Sequence, residues 1–169
     1  KSAICDDNPV LYFEHKHLYR DPKLREEVGE VEALEIGKAR VAREGRHVSV
    51  ITFGAMVHKA LHAADDLARE GIEVEVLDLR SLRPYDTEAI KTTVQKTCRV
   101  LVLNEATLMG SVAGEFASYI SEHCFEFLDA PVMRMGALET PIPYAPELEQ
   151  VMLPSHEKIV SALRNLARY

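Results

Sequence analysis

His58 and His62 stand four residues apart, a spacing that puts two imidazoles on one face of a helix as metal ligands. No glutamate follows the first, as a zinc hydrolase helix would need, and both fall on the wet side of the helix derived below, so they read as solvated residues. Gly110 and Gly114 flank a turn from strand into helix, where free amides hold phosphates in many α/β proteins. Neither a G-x-G-x-x-G pattern nor a P-loop lysine accompanies them, and a tight turn that brings helix onto strand accounts for both. Ser111 lacks the surroundings of a nucleophile elbow. Glu105 sits just past an apolar run, at the carboxyl edge where open sheets bind ligands; it reads as a hydrogen-bond acceptor at a helix entry, with a ligand contact as the alternative. Cys5, Cys98 and Cys124 share no ligand-like spacing and are odd in number, which points to free thiols and a reducing compartment.

The elements that must carry these residues are those of an α/β protein. VSVIT at 48–52 is a β-branched run of the kind buried on both faces of a parallel sheet. Phe53-Gly54 then turns into a helix whose Val57, Ala60, Leu61, Ala64, Leu67 and Ala68 make one stripe, with His58, His62, Asp65, Asp66 and Arg69 opposite. Gly71 stops it, and VEVL at 74–77 returns parallel to the first strand by a right-handed crossover. Asp86 or Thr87 caps a helix carrying Ala89, Ile90 and Val94, and RVLVL at 99–103 is the next buried strand. A helix through Phe116, Ala117 and Ile120 follows, then a strand at 132–135, a loop with Pro141, Pro143 and Pro146, and a closing helix with Ile159, Val160, Leu163 and Leu166. Residues 10–14 read as a further strand and residues 21–34 as a surface connector. The expected fold is a three-layer α/β/α arrangement around a mostly parallel sheet of about five strands.

At 169 residues and 47% hydrophobic, the chain has core enough for one compact domain, burying roughly 70% of the unfolded surface. A net charge of −7 disfavours nucleic acid, whose phosphates need a basic face, and suits a basic protein partner. No apolar stretch approaches the roughly 18 residues of a membrane span, and KSAICDD lacks the core of a signal peptide. The reading is a soluble protein with no membrane partner.

Several strings together carry a family resemblance: KSAI-x-D-x-NP, VLYFEHKHLYR, VSVITFG, VEVLDLRSLRPYD, RVLVLNEA, FLDAP and TPIPYAPELE. In this order, over essentially the whole chain, they resemble the C-terminal half of the β subunit of thiamine diphosphate-dependent 2-oxo acid dehydrogenases. These are the decarboxylating first components of the pyruvate and branched-chain 2-oxo acid complexes. The resemblance implies that residues 1–20 end the preceding pyrimidine-binding domain, that residues 21–34 connect, and that residues 35–169 form a transketolase C-terminal-like domain. It implies partners too: an α subunit, a second β subunit and an acyltransferase core, in the cytoplasm or, in a eukaryote, the mitochondrial matrix. Thiamine diphosphate and magnesium belong to the complete enzyme, in which the family's diphosphate site lies on the α subunit and its catalytic glutamate and histidine on the other β domain. There is no Gly-Asp-Gly motif here, so no catalytic or cofactor-binding residue is carried over and residues 1–169 should bind no thiamine diphosphate alone. His15 reads as a surface or packing histidine.

Two family features map onto numbered positions. A potassium-type ion would be held at Ala3, Ile4, Asp6 and Asn8, where carbonyls and an asparagine present neutral oxygens; an ordinary Asx turn before Pro9 is the alternative. A basic subunit-binding domain of the acyltransferase would be gripped by Asp129, in the D-A-P string, and Tyr169; otherwise these are a helix-end acid and a frayed tail. Other thiamine enzymes, transketolase and deoxyxylulose-phosphate synthase, share the fold, but KSAI and PIPYAPELE fit them worse. A stand-alone phosphate- or nucleotide-binding domain is the third reading, and a phosphate at Gly110 to Gly114 would favour it.

Overall fold

The computed structural model describes the chain apart from residues 26, 28 and 31, so the expected connector at 21–34 lies partly outside the described residues. Its sheet has five strands: β1 (Arg40–Arg43), β2 (Val48–Thr52), β3 (Val74–Asp78), β4 (Val100–Thr107) and β5 (Met133–Ala137), in the order β1-β3-β2-β4-β5. All neighbours are parallel except β1, which runs antiparallel along β3. The helices are a single turn α1 (Ser2–Cys5), then α2 (Ala55–Arg69), α3 (Thr87–Thr97), α4 (Val112–His123), α5 (Pro146–Met152) and α6 (His156–Ala167).

Strand alternation sorts the apolar side chains into two cores. Val48, Val50, Val74, Val76, Leu101 and Leu103 face α2 and α6, while Ile51, Leu77, Val100 and Val102 face α3 and α4. Both faces are therefore covered, which is why these strands read as unbroken hydrophobic runs. Phe116 anchors the second core, with the rings of Phe53 and Tyr85 edge-on to it at 6.4 and 5.1 Å.

Local signals in the sequence set the helix ends. Gly71 adopts φ +80, its N–H bonds the Ala68 carbonyl and the Ile72 N–H bonds the Leu67 carbonyl, a Schellman stop. Asp86 accepts the Ala89 N–H at 3.0 Å and also the Ala39 N–H at 3.1 Å, so one carboxylate caps α3 and ties down the lead into β1. Asp86→Ala is expected to cost about 1 kcal/mol in chemical denaturation, with Asp86→Asn recovering most of it.

Four expectations need correction. Residues 10–14 form no strand; they have no ladder partner among the described residues, and Leu11 and Phe13 are 84% and 86% exposed. The first strand of the sheet is instead β1, a four-residue edge strand broken by a register shift after Val41. The proline-rich loop contains α5, which Pro146 starts because its missing N–H costs nothing at a helix's first position. Within α2, Ala68 is exposed, and Met56 and Ala63 are buried as well as most of the expected stripe. His62 is wet as expected, whereas His58 is half-buried.

Candidate functional site

The two ends of the sheet carry different chemistry. At the carboxyl end, His15 Nε2 lies 2.8 Å from Glu105 Oε2, joining two residues ninety positions apart that the sequence offered singly. Both are partly buried, His15 Nδ1 is buried without a partner, and Leu18 packs on the α2/α6 core just beyond. The N-terminal segment is thus pinned to β4. Glu105 acts as an acceptor, as expected, but for a histidine rather than for a helix entry.

An irregularity in the β4–β5 register between Leu103 and Thr107 shapes this end and sets the aim of Asn104 and Glu105. Gly136 permits it: a Cβ there would come within 2.4 Å of the Ala106 carbonyl oxygen. Gly136→Ala is expected to destabilise the domain by about 1–3 kcal/mol, read as a lower urea midpoint with an unchanged slope. Beneath α4, Asn104 is buried and its amide nitrogen lies 3.3 Å from the Ser111 hydroxyl. Ser111 therefore has a packing partner. Gly110 has φ +69, the conformation a tight turn demands.

On β3, Asp78 stands in register with Thr52 of β2. Burial pushes its carboxyl above the usual aspartate range, opposed by the Arg80 N–H at 3.2 Å and by the charges of Arg40, Arg80 and His58. A carboxylate raised on folding favours the folded state most when protonated, so its contribution is complete below about pH 4 and lost as pH rises through the elevated value. Asp78→Asn is expected to raise the melting temperature at pH 7 and to flatten that acid-side slope; a lower melting temperature at pH 7 would contradict the assignment.

The amino end holds both residues expected to meet a partner. Asp129 donates its N–H to the Cys98 carbonyl at 2.8 Å, and its Oδ2 lies 3.2 Å from Arg99 Nη2, at the start of β4. Tyr169 follows α6, which runs alongside α2 in the same direction: Lys59 near the start of α2 bonds the Pro154 carbonyl at 3.1 Å, and Arg164 bonds Glu70 beyond its end at 2.7 Å. Since α2 descends from the carboxyl to the amino end, α6 brings Tyr169 to the same end as Asp129. The two share an edge without touching. Asp129 has 56% of its side chain exposed, and Tyr169 is exposed.

Of the expected ion ligands, Ala3 and Ile4 lie in α1, while Asp6 accepts the Asn8 N–H at 2.9 Å and the Asn8 side-chain amide at 3.1 Å. This is the Asx turn, and the bonds from Asn8 hold the Asp6 carboxyl below its usual range. The donor set fits a monovalent cation in chemistry, because the last carbonyls of a helical turn have no partner within it and the asparagine oxygen is neutral. Among the described residues, no three His, Cys, Asp or Glu side chains converge as a metal site. No helix among them is long and apolar enough to cross a membrane.

A mostly parallel sheet in this order, clad by two helix pairs and carrying polar groups at both strand ends, defines a transketolase-type C-terminal domain. The family model for "Transketolase, C-terminal domain" matches residues 37–159, and the chain belongs to that family. It is 45% identical, over 100% of its length, to 2-oxoisovalerate dehydrogenase subunit beta of Bacillus subtilis, and 41% identical, over 99%, to pyruvate dehydrogenase E1 component subunit beta of the same organism. It spans 52% and 51% of those relatives, about half of each. Among solved structures, a split-gene transketolase described as an inactive beta4 tetramer matches with a TM-score of 0.67 and 28% identity, over 83% of this chain and 46% of that one. The resemblance drawn from the motifs thus holds: relatives along nearly the whole length include β subunits of 2-oxo acid dehydrogenases, beside the acetoin:2,6-dichlorophenolindophenol oxidoreductase subunit beta of Bacillus subtilis, 42% identical over 98% of this chain.

Proposed function

We propose that this chain is the C-terminal part of the β subunit of a thiamine diphosphate-dependent 2-oxo acid dehydrogenase, serving assembly rather than chemistry. The observation that carries this reading is the match to both β subunits over 100% and 99% of the chain, which extends well beyond the 37–159 of the domain model. The arrangement of the N-terminal segment supports it. Residues 10–14 present Leu11, Tyr12 and Phe13 to solvent while His15–Glu105 ties them to the sheet's carboxyl end. On this reading residues 1–20 close a pyrimidine-binding domain, residues 21–34 connect, and residues 35–169 are the domain described above. When bound in the full enzyme, thiamine diphosphate with magnesium supplies the carbanion that attacks the 2-oxo acid. The residues of this chain hold the pyrimidine-binding part in place and present the opposite edge to partners.

Three surfaces follow from that proposal. Ala3, Ile4, Asp6 and Asn8 contribute part of a potassium-type cage that the preceding domain completes. Neighbouring α and β subunits cover apolar side chains left bare in the isolated chain. Asp129 and Tyr169 receive the basic subunit-binding domain of the acyltransferase core. The site of action is the cytoplasm in a bacterium and the mitochondrial matrix in a eukaryote.

Co-expression of the full-length β subunit with its α subunit tests the reading. The expected result is decarboxylation of pyruvate or of a branched-chain 2-oxo acid, measured with an artificial electron acceptor. The match to a split-gene transketolase favours one competing reading, and transfer of a two-carbon unit between sugar phosphates, with no 2-oxo acid turnover, would establish it instead. Calorimetry on residues 1–169 alone should detect no thiamine diphosphate binding; a micromolar constant would place the cofactor on this chain.

A further inference from the structure

We draw no further inference here: the strongest candidate, the surface patch of exposed apolar side chains that Met109 after β4, Ile142 and Tyr144 after β5, and Leu148 and Val151 on α5 present, carries nothing because nothing in the structure shows what covers it.

Discussion

Lys96→Met is expected to lower the stability of this domain by about 3 kcal/mol, because it strands a charge inside the fold. Glu75, on β3, has only 2% of its side chain exposed, and the Lys96 ammonium lies between it and Glu44. Removing one member of such a pair leaves the other desolvated and unpaired, which costs far more than the pair contributes when intact. The double variant Lys96→Met/Glu75→Leu should recover much of the loss, since apolar groups of similar volume often replace buried pairs without penalty. Urea denaturation at pH 7 measures both, and a loss below about 1 kcal/mol for Lys96→Met would show that water reaches Glu75. The pH dependence has a definite sign. Bonds donated first to Glu44 and then to Glu75 raise the Lys96 ammonium above its ordinary 10.5. The stabilisation is therefore complete below about pH 10 and is lost as pH climbs through the raised value, whereas Lys96→Met should show no such decline.

Leu163→Ala is expected to cost about 3–4 kcal/mol and to lower Tm by roughly 10 °C. Leu163 is wholly buried in the core beneath α6, beside Ile159 and Leu166, and its truncation leaves a cavity that the sheet cannot collapse to fill. The functional result is more specific than the loss of stability. If Tyr169 receives the acyltransferase domain as proposed, a loosened α6, which delivers Tyr169 to the amino end, should weaken that capture while 2-oxo acid decarboxylation by the assembled α–β component continues below the new melting point. Scanning calorimetry reads the first effect and titration with the subunit-binding domain the second. Loss of both activities together below that temperature would mean that α6 also supports the catalytic half.

Much of this architecture was legible because one side-chain period dominates each element. The β-branched runs at β2 and β3, the stripe of α2 and the stop at Gly71 need only neighbours a few positions away. β1 escaped notice because RVAR is short, half charged and solvated on an edge, so no apolar run marks it. α5 was masked by three prolines whose positional meaning depends on where a helix starts. The site was legible only in parts. Glu105 reads at the carboxyl edge from its place after RVLVL, but His15 reads as a surface or packing histidine, because a bond spanning ninety residues has no local signature. Arg99 and Asp129 meet because α4 and its following turn return the chain to the start of β4, a closure that no spacing rule reports.

β4 carries Arg99 just before one end and Glu105 near the other, six residues and about 20 Å apart, and its first half is paired with β2 through Val102 and with β5 through Leu103. Such a strut is stiff along its axis. On the proposed reading, a load applied at the amino edge, where Asp129 and Tyr169 would receive the acyltransferase, is shared with β2 and β5 through the paired residues before it reaches the bond between His15 and Glu105. The paired part of the sheet would then work as insulation between assembly at one edge and the rest of the subunit at the other.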